Sequence, residues 1–389
     1  MSASLERGIH AFKEAIDGPV ASFFSSCVHC GLCAHACLFY TETGDPKYTP
    51  IHKLEPLRRV WKQEYTFWGR YARAFGLSKP VTDEELGEWE TLVYDSCTMC
   101  GRCSMVCPVG NDIAYMIRRT REGMAAAGHA PEGLIGASRR AVTIGSPMGV
   151  KLPALEAQIR HLEQEAGLTI PVDLEGADYM CLLSSMEIMN FPEYIGAIAR
   201  IFKQANVSWT ISAVISPECG HAYMAIRWEG PNLIGKPFSF QVMHIMEVLD
   251  QLREEGRLKT TGKEKQRLTY HDPCQIARRG GVLEQPRNLL NIVAEDFVEM
   301  PEAGKMNWCC GAGGGVSANE RADELRLRVF NRKKSQLDAV RAEGLVTACS
   351  NCRIYLEEGL EEYHMDIPVT GLTETIAEHL VEEGEGGER

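Results

Sequence analysis

The sequence predicts an α+β multidomain chain: an all-helical, metal-binding first half, then a duplicated α/β second half. Three observations carry that prediction. The 15 cysteines among 389 residues fall in repeated patterns rather than singly. Apolar residues around the first two cysteine runs recur at helical spacing. From about residue 178, short apolar runs alternate with helical ones, and the same order occurs twice.

Composition bounds the function. Apolar residues make up 44% and charged residues 24%, ordinary for a folded globular protein. No stretch approaches the roughly 18 uninterrupted apolar residues of a membrane span. The opening MSASLERGIHAFKEAID has no apolar signal core, so a cytoplasmic location is expected. A net charge of −12 argues against nucleic acid as a partner, because a phosphate backbone requires a basic face. In a cytosolic chain, clustered cysteines point to metal rather than to disulfides.

The first run, CVHCGLCAHAC, supplies Cys27, Cys30, Cys33 and Cys37. The second, CTMCGRCSMVCP, supplies Cys97, Cys100, Cys103 and Cys107. Both have the C-x2-C-x2-C-x3-C spacing of bacterial ferredoxins. Two-residue gaps let a tight loop turn its thiolates onto one small iron–sulfur core, and Gly31 and Gly101 allow close backbone approach. The fourth cysteine points out of its own loop and ligates the other cluster. The expected sets are therefore Cys27, Cys30, Cys33 and Cys107 for one cubane [4Fe-4S] cluster, and Cys97, Cys100, Cys103 and Cys37 for the other. Structural zinc is the alternative, but zinc sites pair two C-x2-C hooks rather than two runs of this kind. Leu38 stands where a proline usually follows the last cysteine.

Residues 38–96, between the runs, are rich in helix formers. Trp61, Tyr65, Trp68 and Tyr71 lie on one face of a predicted helix, either packed against neighbouring helices or offered to a partner subunit. Asn111 is a candidate cap for a helix turning Ile113, Met116, Ile117 and Met124 inward. His29 and His35, inside the first loop, are expected to face solvent or to hydrogen-bond. Residues 1–150 thus read as a helical two-cluster ferredoxin domain.

Residues 151–262 read as a first α/β unit, with strands at 179–185 and 207–216 and helices at 192–205 and 238–252. Residues 263–382 repeat the order in a second unit of about 90 residues or more. Its strands are expected at 267–272, 297–300 and 345–349, and its helices at 286–295 and 318–340. HDPC, WCCGAGGG and ACSNC place Cys274, Cys309, Cys310, Cys349 and Cys352 at or just past strand ends. That edge is where open α/β sheets bind ligands. Five thiolates converging there suggest a larger metal cluster with unusual coordination. The glycines 311, 313, 314 and 315 let backbone crowd it, and the helix from about 318 would direct its N-terminus toward it. Arg278 and Arg279 could hold an anionic substrate or be a solvated surface pair. His271 is the candidate proton donor. Cys219 and His221 occupy the place that ACSNC fills in the second unit, as a redox thiol, a ligand or a structural pair. Cys181 is expected to be buried on a strand. The acidic, Gly-rich tail, 383–389, reads as disordered.

Two ferredoxin runs followed by HDPC, WCCG and CSNC resemble the heterodisulfide reductase D-like iron–sulfur proteins, which include the K subunit associated with dissimilatory sulfite reductase. CVHCGLCAHACLFYTETGDPKYTP, SPECGHAY and HDPCQIARRGG are similar to segments of that group, and the likeness spans nearly the whole chain. It implies a CCG-type domain whose Cys274, Cys309, Cys310, Cys349 and Cys352 hold a noncubane [4Fe-4S] cluster that cleaves disulfides in two one-electron steps. It further implies a membrane haem b, quinone-interacting partner subunit, other redox subunits, and a small thiol carrier protein or low-molecular-weight disulfide as substrate. Attachment to the inner face of the membrane would then run through the partner. The competing reading is a non-catalytic relay subunit of a flavoprotein 2-hydroxy-acid or glycerol-3-phosphate dehydrogenase. No G-x-G-x-x-G fingerprint is present, so in that reading the flavin belongs to another subunit.

Overall fold

The computed structural model describes residues 2–215 and 219–381, together with the backbone but not the side chain of Cys219. The predicted tail lies outside them. The chain divides into two compact units: residues 1–135 with 311–332, and residues 136–310 with 333–389.

The first unit is helical. Ser2 caps the helix Ala3–Ala15, its hydroxyl accepting the Leu5 N–H at 3.2 Å. That helix buries Leu5, Phe12 and Ala15 against the helix Ile113–Ala127, which buries Ile113, Met116, Ile117 and Met124 as its periodicity predicted. The two backbones approach closely because the contact is made by glycine. A Cβ at Gly123 would lie 2.2 Å from the Phe12 ring, and one at Gly8 would lie 2.4 Å from Ala127 Cβ. The cap of the second helix is Asp112, one residue later than expected, accepting the Tyr115 N–H at 3.1 Å. Asn111 instead donates to Ser26 Oγ at 3.3 Å.

The predicted aromatic face between the cysteine runs is not one helix. The helix Glu55–Tyr65 buries Leu57 and Val60 and leans Trp61 on Phe24, with ring centroids 5.4 Å apart. Thr66 then breaks it by capping a new helix, Phe67–Ala74, through the Gly69 N–H at 3.1 Å. The second helix folds back so tightly that a Cβ at Gly69 would sit 1.8 Å from Lys62 O. Nothing on Phe67–Ala74 is buried. Phe67 and Trp68 are 74% and 76% exposed, so the expected packing of this aromatic group holds for Trp61 alone.

Residues 311–332 form no single helix either. Single 3₁₀ turns at Val316–Ala318 and Glu320–Ala322 precede a helix at Asp323–Val329, so no helix N-terminus exists at 318. The cause is competition for hydrogen bonds. Asn319 is extended and donates to Asp95, and Arg321 Nε reaches Asp95 Oδ2 at 2.7 Å. Gly314, at φ +63°, lies on Thr98, where a Cβ would meet the carbonyl carbon at 2.7 Å.

The second unit holds two parallel sheets. β1 (Tyr179–Cys181) pairs with β2 (Trp209–Ile211). β3 (Glu264–His271), β4 (Ala294–Phe297), β5 (Gly344–Thr347) and β6 (Val369–Gly371) form a second sheet in the order β4-β3-β5-β6. The two halves of this unit share part of their element order. β1, the helix Glu193–Gln204 and β2 follow the same order as β3, the helix Glu284–Val293 and β4, and in each case the two strands are neighbours. Among the described residues the first half has no counterpart of β5 and β6. Its helix Glu193–Gln204 packs on the helix Leu372–Glu378 from the chain's end, which is why both halves share one compact unit rather than dividing near residue 263.

One charge group ties these helices together. Arg353 lies over the Phe191 ring at 4.1 Å and reaches Glu374 at 3.2 Å and Glu193 at 3.3 Å. Burial pushes the Glu374 carboxyl up to about 7, against the pull of Arg353. A carboxyl raised above its unfolded value contributes stability that is full below about pH 4.5 and lost as pH rises through 7. Glu374→Gln copies the protonated form. Its stability relative to wild type should rise by up to about 3 kcal/mol between pH 5 and 8.5. Urea unfolding at both pH values measures it, and a constant gap would contradict the burial argument.

Candidate metal centres

The loops at 27–37 and 97–107 fold alike. His29 and Met99 are left-handed at φ 53° and 51°, and Gly31 and Gly101 at φ 80° and 77°; each glycine opens a single helical turn. This backbone turns three cysteines of each loop inward and sends the fourth across. Cys27, Cys30 and Cys33 line one hollow with Cys107; Cys97, Cys100 and Cys103 line a second with Cys37. Crowding shows in the acidities. Burial, then the charges of Cys27, Cys30 and Cys107, pushes Cys33 up to about 11. Cys103 is raised well above an ordinary thiol by burial, then by Cys100, Cys97 and Cys37. Four thiolates packed so closely need a positively charged core between them, so the donor sets fit iron–sulfur clusters. His29 and His35 face solvent, the latter edge-on to Tyr40 at 5.9 Å.

The second hollow contains charges that no spacing rule indicated. Lys53 is 1% exposed; its ammonium lies 3.7 Å from Cys37 Sγ and donates to Ser96 O. Arg121 holds the loop from behind, donating to Cys97 O and Val93 O at 2.8 Å each and to Gly314 O.

In the second unit, all three cysteine segments leave the same sheet edge. β3 ends at His271, opposite Thr347 at the end of β5, and β4 runs parallel to β3. Cys274 follows β3, the chain leaving β4 reaches Cys309 and Cys310, and Cys349 and Cys352 follow β5. All five are buried. A His271 ring nitrogen and the sulfurs of Cys310 and Cys352 lie within 4.8 Å of one another. Cys352 is raised well above an ordinary thiol by hydrogen bonds with Cys310 and Cys349, then by burial.

The turn that carries Cys274 is clamped. Asp272 accepts from Arg287 Nη2 and from the Gly304 N–H, both at 2.7 Å. Arg278 donates to Lys305 O at 2.6 Å and to Asn307 O. It therefore ties this turn to the chain before Cys309, rather than standing free as a surface cation.

Asn307 and Lys333 were not anticipated from sequence. Lys333 is 1% exposed and donates to Asn307 Oδ1 at 3.1 Å and Gln336 Oε1 at 2.6 Å. An ammonium only donates, so the oxygen of Asn307 faces Lys333 and its NH2 faces Asp272 O at 2.8 Å and His271 Nδ1 at 3.3 Å. That makes Nδ1 an acceptor and leaves the ring proton on Nε2, which is buried without a hydrogen-bond partner. Burial, then Lys333, holds the His271 pKa well below its usual value, so the ring is neutral. An N–H with nothing to bond, beside crowded thiols, suits a site built for a sulfur-rich anionic group.

Cys181 lies on β1, paired with Ile211, half-buried rather than fully buried; burial pushes it up to about 12. The side chain of Cys219 lies outside the described residues.

Two family models match the chain. Residues 24–111 match the 4Fe-4S dicluster domain family and residues 268–357 the CCG-type cysteine-rich domain family. These spans contain the eight cysteines of the first unit and the five of the sheet edge. The chain is 28% identical to the D subunit of the dihydromethanophenazine:CoB–CoM heterodisulfide reductase of Methanosarcina acetivorans, over 91% of this chain and 93% of that protein. It is 26% identical to the Hdr-like menaquinol oxidoreductase iron–sulfur subunit 2 of Archaeoglobus fulgidus, over 92% and 80% of the two chains. A 30% identity to the EtfAB:quinone oxidoreductase of Syntrophomonas wolfei covers 53% of this chain and 29% of that protein.

Proposed function

We propose that this chain, which joins a 4Fe-4S dicluster domain to a CCG-type cysteine-rich domain, is the electron-transfer and catalytic subunit of a redox complex acting on thiols and disulfides. The observation that carries the reading is the sheet-edge site, with five buried cysteines, a neutral His271 and a buried Lys333. In this reading Cys27, Cys30, Cys33 and Cys107 hold one cubane cluster, and Cys37, Cys97, Cys100 and Cys103 the other. Cys274, Cys309, Cys310, Cys349 and Cys352 hold a noncubane [4Fe-4S] cluster. The bound clusters supply one-electron redox chemistry, which a two-electron disulfide couple needs in two steps. The protein contributes the rest. His271 presents its Nε2–H to sulfur, Asn307 fixes that tautomer, and Lys333 offsets the negative charge of the thiolates.

The electron partner is proposed to be a membrane subunit that handles quinone, as the name of the Archaeoglobus relative suggests. No helix among the described residues is long and apolar enough to cross a membrane. The exposed Phe67, Trp68, Tyr71 and Phe75 offer apolar surface for such a subunit. Either direction of electron flow satisfies the site.

Iron quantification and electron paramagnetic resonance on anaerobically purified protein test the reading. About 12 irons are expected, at four per cluster, with a new paramagnetic signal when the oxidised protein meets a thiol. About 8 irons and no response to thiols would leave the relay reading in its place.

A further inference from the structure

The two cysteine hollows of the first unit differ in one respect that their matching loops conceal. The walls of the first, around Cys27, Cys30, Cys33 and Cys107, contain no lysine or arginine and are mostly apolar, with Phe23, Ile51 and Ile113 among them. The second contains Lys53. That ammonium is 1% exposed, bonded to Ser96 O and 3.7 Å from the sulfur of Cys37. The ammonium also lies over the Phe39 ring, 5.3 Å from its centroid. A cation screened from water and hydrogen-bonded to a ligand sulfur favours the more negative, reduced state of whatever those sulfurs hold.

From this asymmetry we infer that Lys53 sets the two cubanes apart in potential. The cluster of Cys37, Cys97, Cys100 and Cys103 is reduced first, and an electron shared between the pair rests there. The same loop carries the Gly314 contact at Thr98, on the segment that continues the chain from Cys310. The inference rests on the proposed function only for the presence of two cubanes. Lys53 touches no substrate; it acts through the ligand sulfur, as a positioning charge.

The test is an anaerobic redox titration of the whole iron-loaded chain, followed by electron paramagnetic resonance, on wild type, Lys53→Met and Lys53→Arg. Wild type should show two cubane potentials. Lys53→Met should shift the redox equilibrium of the higher one at least tenfold toward the oxidised form, about 59 mV for one electron. The lower should stay in place, and Lys53→Arg should restore the wild-type order. Loss of about four irons from Lys53→Met but not from Lys53→Arg would equally show that the charge is required. Two equal potentials in wild type, an unmoved pair in a fully loaded Lys53→Met, or iron loss from both variants would overturn the inference. Wild type that binds no iron at all would instead overturn the proposed function.

Discussion

On the proposed function, Cys310→Ser should abolish thiol–disulfide turnover, by on the order of 10³-fold or more, while the two clusters proposed for the loops should remain reducible. Iron should fall from about 12 to about 8 per chain, the proposed sheet-edge centre being lost and the two proposed for the loops kept. The size of the effect follows from where the sulfur sits. Cys310 is 4% exposed, belongs to the group with Cys352 and His271 within 4.8 Å, and its hydrogen bond is the largest cause of the raised Cys352 pKa. Serine nearly matches cysteine in volume, so the fold is kept while a thiolate ligand is replaced by an alcohol that does not ionise near neutral pH. Cys181→Ser is the control. Its sulfur lies on β1, among neither the five cysteines of the sheet edge nor the eight of the loops, so iron content and turnover should stay at wild-type levels. Turnover that survives in Cys310→Ser would move the catalyst to another subunit.

The sites that sequence revealed are those built by local chain geometry. A C-x2-C-x2-C-x3-C run marks its own loop as a candidate metal site, and the two loops here fold alike, as the matched angles of His29 with Met99 and Gly31 with Gly101 show. The cysteines of the sheet edge were legible for a related reason: each follows a strand, and parallel strands bring their C-terminal ends to one side. Tertiary partners were not legible. Nothing near Asn319 or Arg321 marks them as bonded to Asp95, so residues 318–340 read as one helix. The Thr66 break was hidden because Trp61, Tyr65, Trp68 and Tyr71 keep a helical spacing across it. Lys53 and Lys333 did leave a trace. Lys333 falls on the stripe formed by Phe330 and Leu337, and Lys53 on that of Pro50, Leu54 and Leu57, all buried. A lysine at an apolar stripe position signals a buried cation with an anionic partner, and it is easily mistaken for part of a solvated run such as NRKKS.

Lys333→Met should lower the potential of the sheet-edge centre by roughly 100 mV, or empty the site of its iron. The argument begins with burial. Desolvation pulls the Lys333 ammonium down to about 8 against the upward pull of Asp272, Cys310, Cys309 and Cys352. A lysine is kept in such a place only where negative charge surrounds it. One unit charge at about 6 Å, with an effective dielectric constant near 20, is worth about 3 kcal/mol. For a single electron that is close to 120 mV, the basis of the figure above. Methionine matches the length of the lysine stem and removes the charge, so packing against Gln336 is largely preserved. A second consequence follows from the hydrogen-bond chain. Without the ammonium, the oxygen of Asn307 loses its donor, and only the Asp272 carbonyl, 2.8 Å from its NH2, still orients the amide that faces His271. The ring proton is then held on Nε2 less firmly. Lys333→Arg keeps the charge but not the compact donor geometry, so it should restore potential more fully than turnover. A titration of the thiol-responsive signal in both variants separates the two effects. An unchanged potential in a fully loaded Lys333→Met would show that the charge of Lys333 serves folding alone.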